Sequence, residues 1–309
     1  QKLSFMYDNV GLWMPSEKIN WSGYKETIPA LLSNVSYSEK QNGNWWINGS
    51  LENLRIAVGE AGISIKGSPN KYVHGYNYAA LTRQEFKYGI EKISDTFSMD
   101  IKKSTASKID VAHNFCMKED VSNYYNYLGT SQYYTRQNYE NSLYYRNKQR
   151  TVIFYDKVKE GIKNGETTPA AWLGKNVLRY ELRFLGRLLK QLNIASITAE
   201  DLYKDEVYIQ ILDRWILEYE NIIKNKVMNP IKETLTNKEA KDYLLSALVA
   251  EYGQNKVLSI VDGWNNKFTT KKEAQRFKKS LNGLSGLTME SNLIQELSSK
   301  VNRIKEYYR

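Results

Sequence analysis

Val177-Leu-Arg-Tyr-Glu-Leu-Arg-Phe-Leu185 is the stretch that decides the fold. Its even positions, Leu178, Tyr180, Leu182 and Phe184, are apolar; its odd positions, Arg179, Glu181 and Arg183, are charged. A period of two sends successive side chains to opposite faces of a sheet, so the run predicts a strand with one face on a core and a row of charge on the other. Two neighbouring runs follow the same rule. In Lys108–Phe115, Lys108, Asp110 and Asn114 share a face and Ile109, Val111 and Phe115 take the other. In Arg150–Lys157, Tyr155 and Lys157 fall with Thr151 and Ile153, opposite Val152 and Phe154. Leu143-Tyr-Tyr145 reads as a partner strand, joined to the last run by the basic turn Arg146-Asn-Lys-Gln149.

Further out, Leu51–Val58 and Ile63–Lys66 flank the turn cluster Gly59-Glu-Ala-Gly62 and predict a hairpin. Thr82-Arg-Gln-Glu85 is a capping box opening a helix over 82–99, with Phe86, Ile90, Ile93 and Phe97 on one face. Glu119–Leu128 fits a short helix. After residue 190 the period becomes helical: Thr198-Ala-Glu-Asp201 resembles another capping box, and Tyr208, Ile211, Leu212, Trp215 and Tyr219 follow at three- and four-residue steps. Further helices fit 239–251, 270–282 and 289–307. The expected architecture is α+β: a domain over 1–190 with a largely antiparallel sheet plus helices, then an all-helical region over 191–309 suited to binding DNA or a partner.

Composition narrows the function. The 309 residues carry 44 Lys+Arg against 34 Asp+Glu, a formal +10, which favours a polyanionic partner, nucleic acid first. No stretch approaches the roughly 18 apolar residues of a membrane span, so no membrane partner is expected. Gln1–Phe5 carry no apolar signal core and begin without Met, as in a trimmed chain. One Cys, Cys116, excludes an internal disulfide and a Cys-based zinc site, and fits a reducing, cytoplasmic setting. Two His, His74 and His113, are too few for a three-His metal centre and give no HExxH helix.

If the three strands lie side by side with polar faces together, a Tyr, a Lys, two carboxylates and two Arg converge. That set suits phosphodiester chemistry. A tyrosine hydroxyl with a free pKa of about 10 needs a cation, base or metal to become a nucleophile. Two carboxylates can hold Mg²⁺ or Mn²⁺, and Lys and Arg offset charge on phosphate oxygens. The same pattern also fits a solvated face of cross-strand ion pairs, with Tyr155 one packing residue among 24 tyrosines.

Taken in order, Lys108-Ile-Asp110, Arg150-Thr-Val-Ile-Phe-Tyr-Asp-Lys-Val-Lys-Glu160 and Leu178-Arg-Tyr-Glu-Leu-Arg183 resemble the gene II/gene X replication initiators of filamentous bacteriophages. More distantly, they resemble the initiation factors of rolling-circle plasmids. The family pattern is R-I-D on one strand, a strand ending Y-x-K-x-x-E, and an R-F-E-x-R strand. The upstream block Ile63–Asn77, a strand followed by small residues, Lys, Gly and Asn, is similar too.

The resemblance implies a rolling-circle DNA replication initiator of the bacterial host cytoplasm: a metal-dependent tyrosine nickase that cuts one strand at an origin and rejoins it. Tyr155 matches the nucleophile that becomes joined to the 5′ phosphate and frees a 3′ hydroxyl. Asp110 and Glu181 match acids expected to hold Mg²⁺ or Mn²⁺. Lys157 matches a phosphate-contacting or Tyr-activating cation, Glu160 a further acid, and Arg179 a phosphate contact. Implied partners are duplex origin and single-stranded DNA, with host helicase, single-strand-binding protein and polymerase. Two departures stand out. Lys108 replaces the Arg of R-I-D, and no His-hydrophobic-His pair exists, so the HUH-like nickase palm would be permuted or degenerate. The other reading is a non-catalytic DNA-binding or regulatory protein on the same fold.

Secondary candidates follow. His113 is the nearest His to the acids, yet strand alternation turns it from Asp110. His74, beside Gly75, reads as a loop residue or a DNA contact. Lys66 and Lys71, on a glycine-containing turn, and Lys108 and Arg183 are candidate DNA contacts, as are Arg146, Lys148 and Arg150 at a hairpin tip. Tyr144 and Tyr145 are reserve nucleophiles. Tyr124, Tyr125, Tyr127, Tyr133 and Tyr134 could stack on bases or pack the core. Trp45, Trp46 and Trp215 read as core. Lys267, Lys271, Lys272, Arg276, Lys278 and Lys279 make a basic helix suited to duplex phosphates or to solvent.

Overall fold

A computed structural model describes residues 6–19, 22–39, 43–228, 234–252, 254–264, 267–282, 284 and 288–307. Strand β1 (Met6–Pro15) leads through helix α1 (Tyr24–Ala30) to a meander of β2 (Ser33–Glu39), β3 (Trp45–Leu51), β4 (Leu54–Gly59) and β5 (Gly62–Gly67). Helices α2 (Pro69–His74) and α3 (Arg83–Phe97) precede the long strand β6 (Thr105–Met117). Next come α4 (Val121–Tyr125), β7 (Leu128–Ser131), β8 (Thr135–Tyr139), β9 (Ser142–Arg146) and β10 (Arg150–Asp156). Helix α5 (Lys157–Lys163) and β11 (Asn176–Phe184) follow. Beyond them lie α6 (Leu188–Leu192), α7 (Asp205–Glu220), β12 (Ile222–Lys224), β13 (Lys226–Met228) and α8 (Asn237–Tyr252). The last elements are α9 (Gln254–Gly263), α10 (Lys271–Asn282), β14 (Thr288–Glu290) and α11 (Asn292–Tyr307).

Ten strands form one antiparallel sheet in the order β2-β3-β4-β5-β1-β6-β11-β10-β9-β8. Its two faces differ because its strands alternate. Val10, Leu12 and Met14 of β1, Leu54, Ile56 and Val58 of β4, and Leu178, Tyr180, Leu182 and Phe184 of β11 are buried in one cluster. Helices α3, α7 and α11 cover that side with Phe86, Ile90, Trp215, Ile294 and Val301. Tyr180 is the keystone there: it stacks on Phe154 at 4.7 Å, lies 4.5 Å from the Trp215 ring and donates its hydroxyl to the Trp215 carbonyl. The expected capping box of α3 forms in full, Thr82 and Glu85 each bonding the other's backbone.

The region after residue 190 is not all helical. Strand β12 pairs with β7, and β13 with β14. Each of these carboxy-terminal strands is three residues long, too short to show a period of two. Residues on both sides of position 190 share the main core, Leu192, Leu202, Trp215 and Ile304 among them. Val257, Val261, Leu281 and Leu284 form a separate small cluster. Trp215 is fully buried as expected, but Trp45 and Trp46 are only half-buried, since β3 lies near the sheet edge.

Candidate active site

The sheet register brings the charged runs together. Directly paired residues share a face, so Tyr155, Arg179 and Asn114 form one row across β10, β11 and β6. Ile153, Glu181 and Ala112 form the next row, and Thr151, Arg183 and Asp110 the third. All lie on the face away from the main helical cover. At the end of β10, Asp156 caps α5 by accepting from the Val158 and Lys159 amides, so the chain turns into a helix immediately after Tyr155. That junction moves Lys157 off the strand. It does not share a face with Tyr155: its ammonium is buried against Glu160 at 2.6 Å and Glu166 at 3.1 Å.

Tyr155 is half-buried and donates its hydroxyl to Glu181 Oε2 at 3.2 Å. The other Glu181 oxygen accepts from Arg183 Nε at 2.5 Å. Arg179 is fully buried, so it is not a surface contact for phosphate. It donates to the Asn77 carbonyl and Asn114 Oδ1, pairs with Asp8 at 2.5 Å and stands 4.0 Å from Glu181. Burial pushes the Tyr155 phenol well above its ordinary pKa; Arg179 opposes the shift, while Glu181 and Asp8 add to it. The phenol is therefore protonated at neutral pH. Burial, then the nearby Asp8 charge, raises Glu181, with Arg183 and Arg179 pulling the other way.

Asp110 is 2% exposed and pairs with Lys108 at 2.8 Å, leaving Oδ1 without a hydrogen-bond partner. Burial lifts its carboxyl to about 7, against the lowering pull of Lys108 and with a further push from Glu181. Below about pH 4 Asp110 is protonated in both folded and unfolded chains. Between about pH 4 and pH 7 the unfolded chain ionises first, so stability falls as pH rises, then levels off above about 7. The shift corresponds to at most about 4 kcal/mol. Asp110→Asn should thus stabilise the fold by about 1–3 kcal/mol near pH 8, with the gain vanishing near pH 4. Urea denaturation at both pH values measures this; equal stability near pH 8 would refute the carboxylate's strain.

These acids fit a magnesium-type ion better than a closed metal cage. Among the described residues no three His, Cys, Asp or Glu side chains converge as a metal-binding group. Mg²⁺ asks for only one or two carboxylates, completing its shell with water and phosphate oxygens. The buried, unpartnered Asp110 Oδ1 beside Glu181 is the donor that such an ion would use. Of the other candidate ligands, Glu160 faces Lys157, and His113 lies on the opposite face with its ring 4.7 Å from Phe115.

The remaining sequence candidates scatter. Lys66 and Lys148 are exposed, and Arg146 is exposed with its guanidinium over the Tyr144 ring at 4.4 Å. Lys71 is not on a turn but in α2, paired with Glu166. Arg150 points to the core side, bonded to Glu218, Tyr134 and Gln191. Tyr144 shares the face of Glu181 and Ile153, whereas Tyr145 is buried opposite, donating to the Leu128 and Gly129 carbonyls. Tyr124 and Tyr125 are buried, Tyr127 and Tyr134 half-buried; Tyr133 is 83% exposed. His74 ends α2 beside Glu85. In α10 and just before it, Lys267, Lys271, Lys272, Arg276 and Lys279 are exposed, and Lys278 pairs with Asp262.

Sequence reasoning missed Asp8, and gave no role to Asn77, the last residue of the upstream block. Asp8 sits at a register shift between β1 and β6, and Asn77 in the loop after α2. Both hold Arg179, and Asn77 also donates to Asp8 at 3.3 Å. The alternation of Val10, Leu12 and Met14 could have revealed β1, but nothing local marks Asp8 as a partner of a residue 171 positions away.

The fold and site define an α+β protein with a broad antiparallel sheet, one face packed by helices and the other carrying a tyrosine in a network of buried charge. The sequence model for the N-terminal part of the replication-associated gene II protein matches residues 6–209, and the chain belongs to that family, the filamentous phage gene II type of replication initiator. No curated protein matches the chain. No helix among the described residues is long and apolar enough to cross a membrane.

Proposed function

We propose that this replication protein is a site- and strand-specific DNA nickase and ligase, with Tyr155 as nucleophile on a variant HUH-like palm. The observation that carries the reading is the half-buried Tyr155 hydroxyl bonded to Glu181 on the sheet face away from the main helical cover, with Glu181 one row from Asp110 and Arg183. A packing tyrosine has no need of a buried carboxylate as its partner, and burying that carboxylate is costly.

In this mechanism the phenol proton passes along its hydrogen bond to Glu181 Oε2, whose raised pKa suits it to receive a proton. The phenolate oxygen attacks phosphorus, the bond to the 3′ oxygen breaks, and that oxygen takes a proton from water to become a free 3′ hydroxyl while Glu181 returns its own proton to the solvent. The 5′ phosphate stays on Tyr155. Attack by a 3′ hydroxyl on the phosphotyrosine reverses these steps and rejoins the strand. Arg179 favours the phenolate by its charge and holds Asp8 and Asn114 around it. Arg183, half-exposed, is the arginine of this cluster that can reach a phosphate. Asp110 and Glu181 would hold Mg²⁺ or Mn²⁺, which polarises the scissile phosphate when bound.

The test is a denaturing gel after incubation with labelled single strands from the parent replicon and Mn²⁺. A covalent band is expected; retardation on native gels with no covalent band under either Mg²⁺ or Mn²⁺ would mean a binding protein. Independently of activity, Mn²⁺ near pH 8 should raise the melting temperature of the native protein and not of Asp110→Asn. An equal response would remove Asp110 from the metal site.

A further inference from the structure

The sheet face that carries Tyr155 continues onto the amino-terminal half of the sheet, where its side chains reach solvent. Arg55 of β4 pairs directly with Lys66 of β5, Lys66 with Gly11 of β1, and Gly11 with Lys108 of β6. Three cations therefore stand in one row across four strands. Like charges directly opposite one another destabilise a sheet. Among the described residues no carboxylate pairs with Arg55 or Lys66, and both are exposed. Gly11 keeps the row open, since a Cβ there would lie 3.0 Å from the Lys108 Cβ. Beside the row, Trp13 and Trp46 lie on the same face, ring centroids 5.9 Å apart and both half-buried. Trp46 rests over Gly59, where a Cβ would come within 2.9 Å of its ring.

We propose that Trp13, Trp46, Arg55 and Lys66 form a second subsite for unpaired DNA, remote from Tyr155. The cations meet successive phosphates and the indoles supply flat faces for bases, which duplex DNA keeps stacked inside. From the Asn114 row to the Lys108 row is roughly 20 Å along β6, about six nucleotides at stacked spacing. The subsite thus holds a distant part of the strand whose cut end sits at Tyr155, with Lys108 and Arg183 between. Its assignment to the cut strand rests on the nicking reading; its affinity for unpaired DNA does not.

The test uses the full chain carrying Tyr155→Phe, so that no covalent product forms, and a fluorescent oligodeoxythymidylate of about 16 nucleotides. Adding Arg55→Gln and Lys66→Gln should weaken binding about ten-fold and lower the salt slope of log affinity by about 1.4, two phosphate contacts' worth. Both positions are exposed, so the fold should be unharmed. Trp13→Phe/Trp46→Phe, in a second variant, should remove most of the fluorescence quenching that the oligonucleotide causes. An unchanged salt slope, or a loss confined to duplex binding, overturns the subsite. If the native protein forms no covalent adduct but the slope still falls, the nicking reading fails and the subsite stands.

Discussion

Tyr155→Phe should abolish the covalent protein–DNA adduct, by about 10³-fold or more, while leaving DNA retention on native gels within about two-fold. The change removes one oxygen. Its hydrogen bond to Glu181 goes with it, worth about 1 kcal/mol. Arg183 and Arg179 still face Glu181, so the fold should survive and a loss of adduct can be read as lost chemistry. Tyr144 is the internal control. It shares the face with Glu181 but lies on the next strand, stacked under Arg146. If adduct persists in Tyr155→Phe, peptide mapping will show whether Tyr144 carries it; persistence at Tyr144 would move the nucleophile by one strand. Tyr145 needs no such control, because its hydroxyl is bonded to two backbone carbonyls in the core.

The largest stability loss is expected from Arg179→Gln. The guanidinium has no solvent exposure and lies among Asp8, Glu181, Asn114 and the Asn77 carbonyl. Removing it leaves acids of the same cluster uncompensated, a loss of about 3–5 kcal/mol and roughly 10 °C in melting temperature. A partner change should reveal the cause. Asp8→Asn in the same chain should recover part of the loss, because one of the stranded charges is gone. Additive losses in the double variant would mean that Arg179 acts by packing alone. By contrast, Arg183→Gln should cost less stability than Arg179→Gln, since its side chain is 42% exposed and the new amide can still donate to the buried Glu181, and its effect should fall on cleavage.

Arg179 and Arg183 together show what a strand pattern can and cannot say. Alternation puts both on one face with Glu181, as the register does. It cannot say that one is sealed under the Asn77 loop and the other left in water. Lys157 departs from expectation for a different reason. Asp156, which reads as a strand residue, serves as a helix cap, and capping depends on where the next two amides point. Trp46 reads as core by its type, yet its strand's distance from the sheet centre leaves it half-open. Asp110 is legible as an acid on the polar face, but its raised pKa follows from burial that no local sequence encodes.

Residue order alone specifies the periodic elements: the strands through Asp110, Tyr155 and Glu181, the capped helix α3, and the succession of blocks that marks the family. These are local properties, set by backbone geometry and by the spacing of apolar side chains along it. Long-range packing was needed to make β6, β11 and β10 neighbours, to bring Asp8 across from the first strand to neutralise Arg179, and to bury Arg179 and Glu181 while leaving Tyr155 and Arg183 partly exposed. Those facts depend on which side chains lose their water. Desolvation is set by everything packed around a group, and most of what surrounds this site comes from distant parts of the chain.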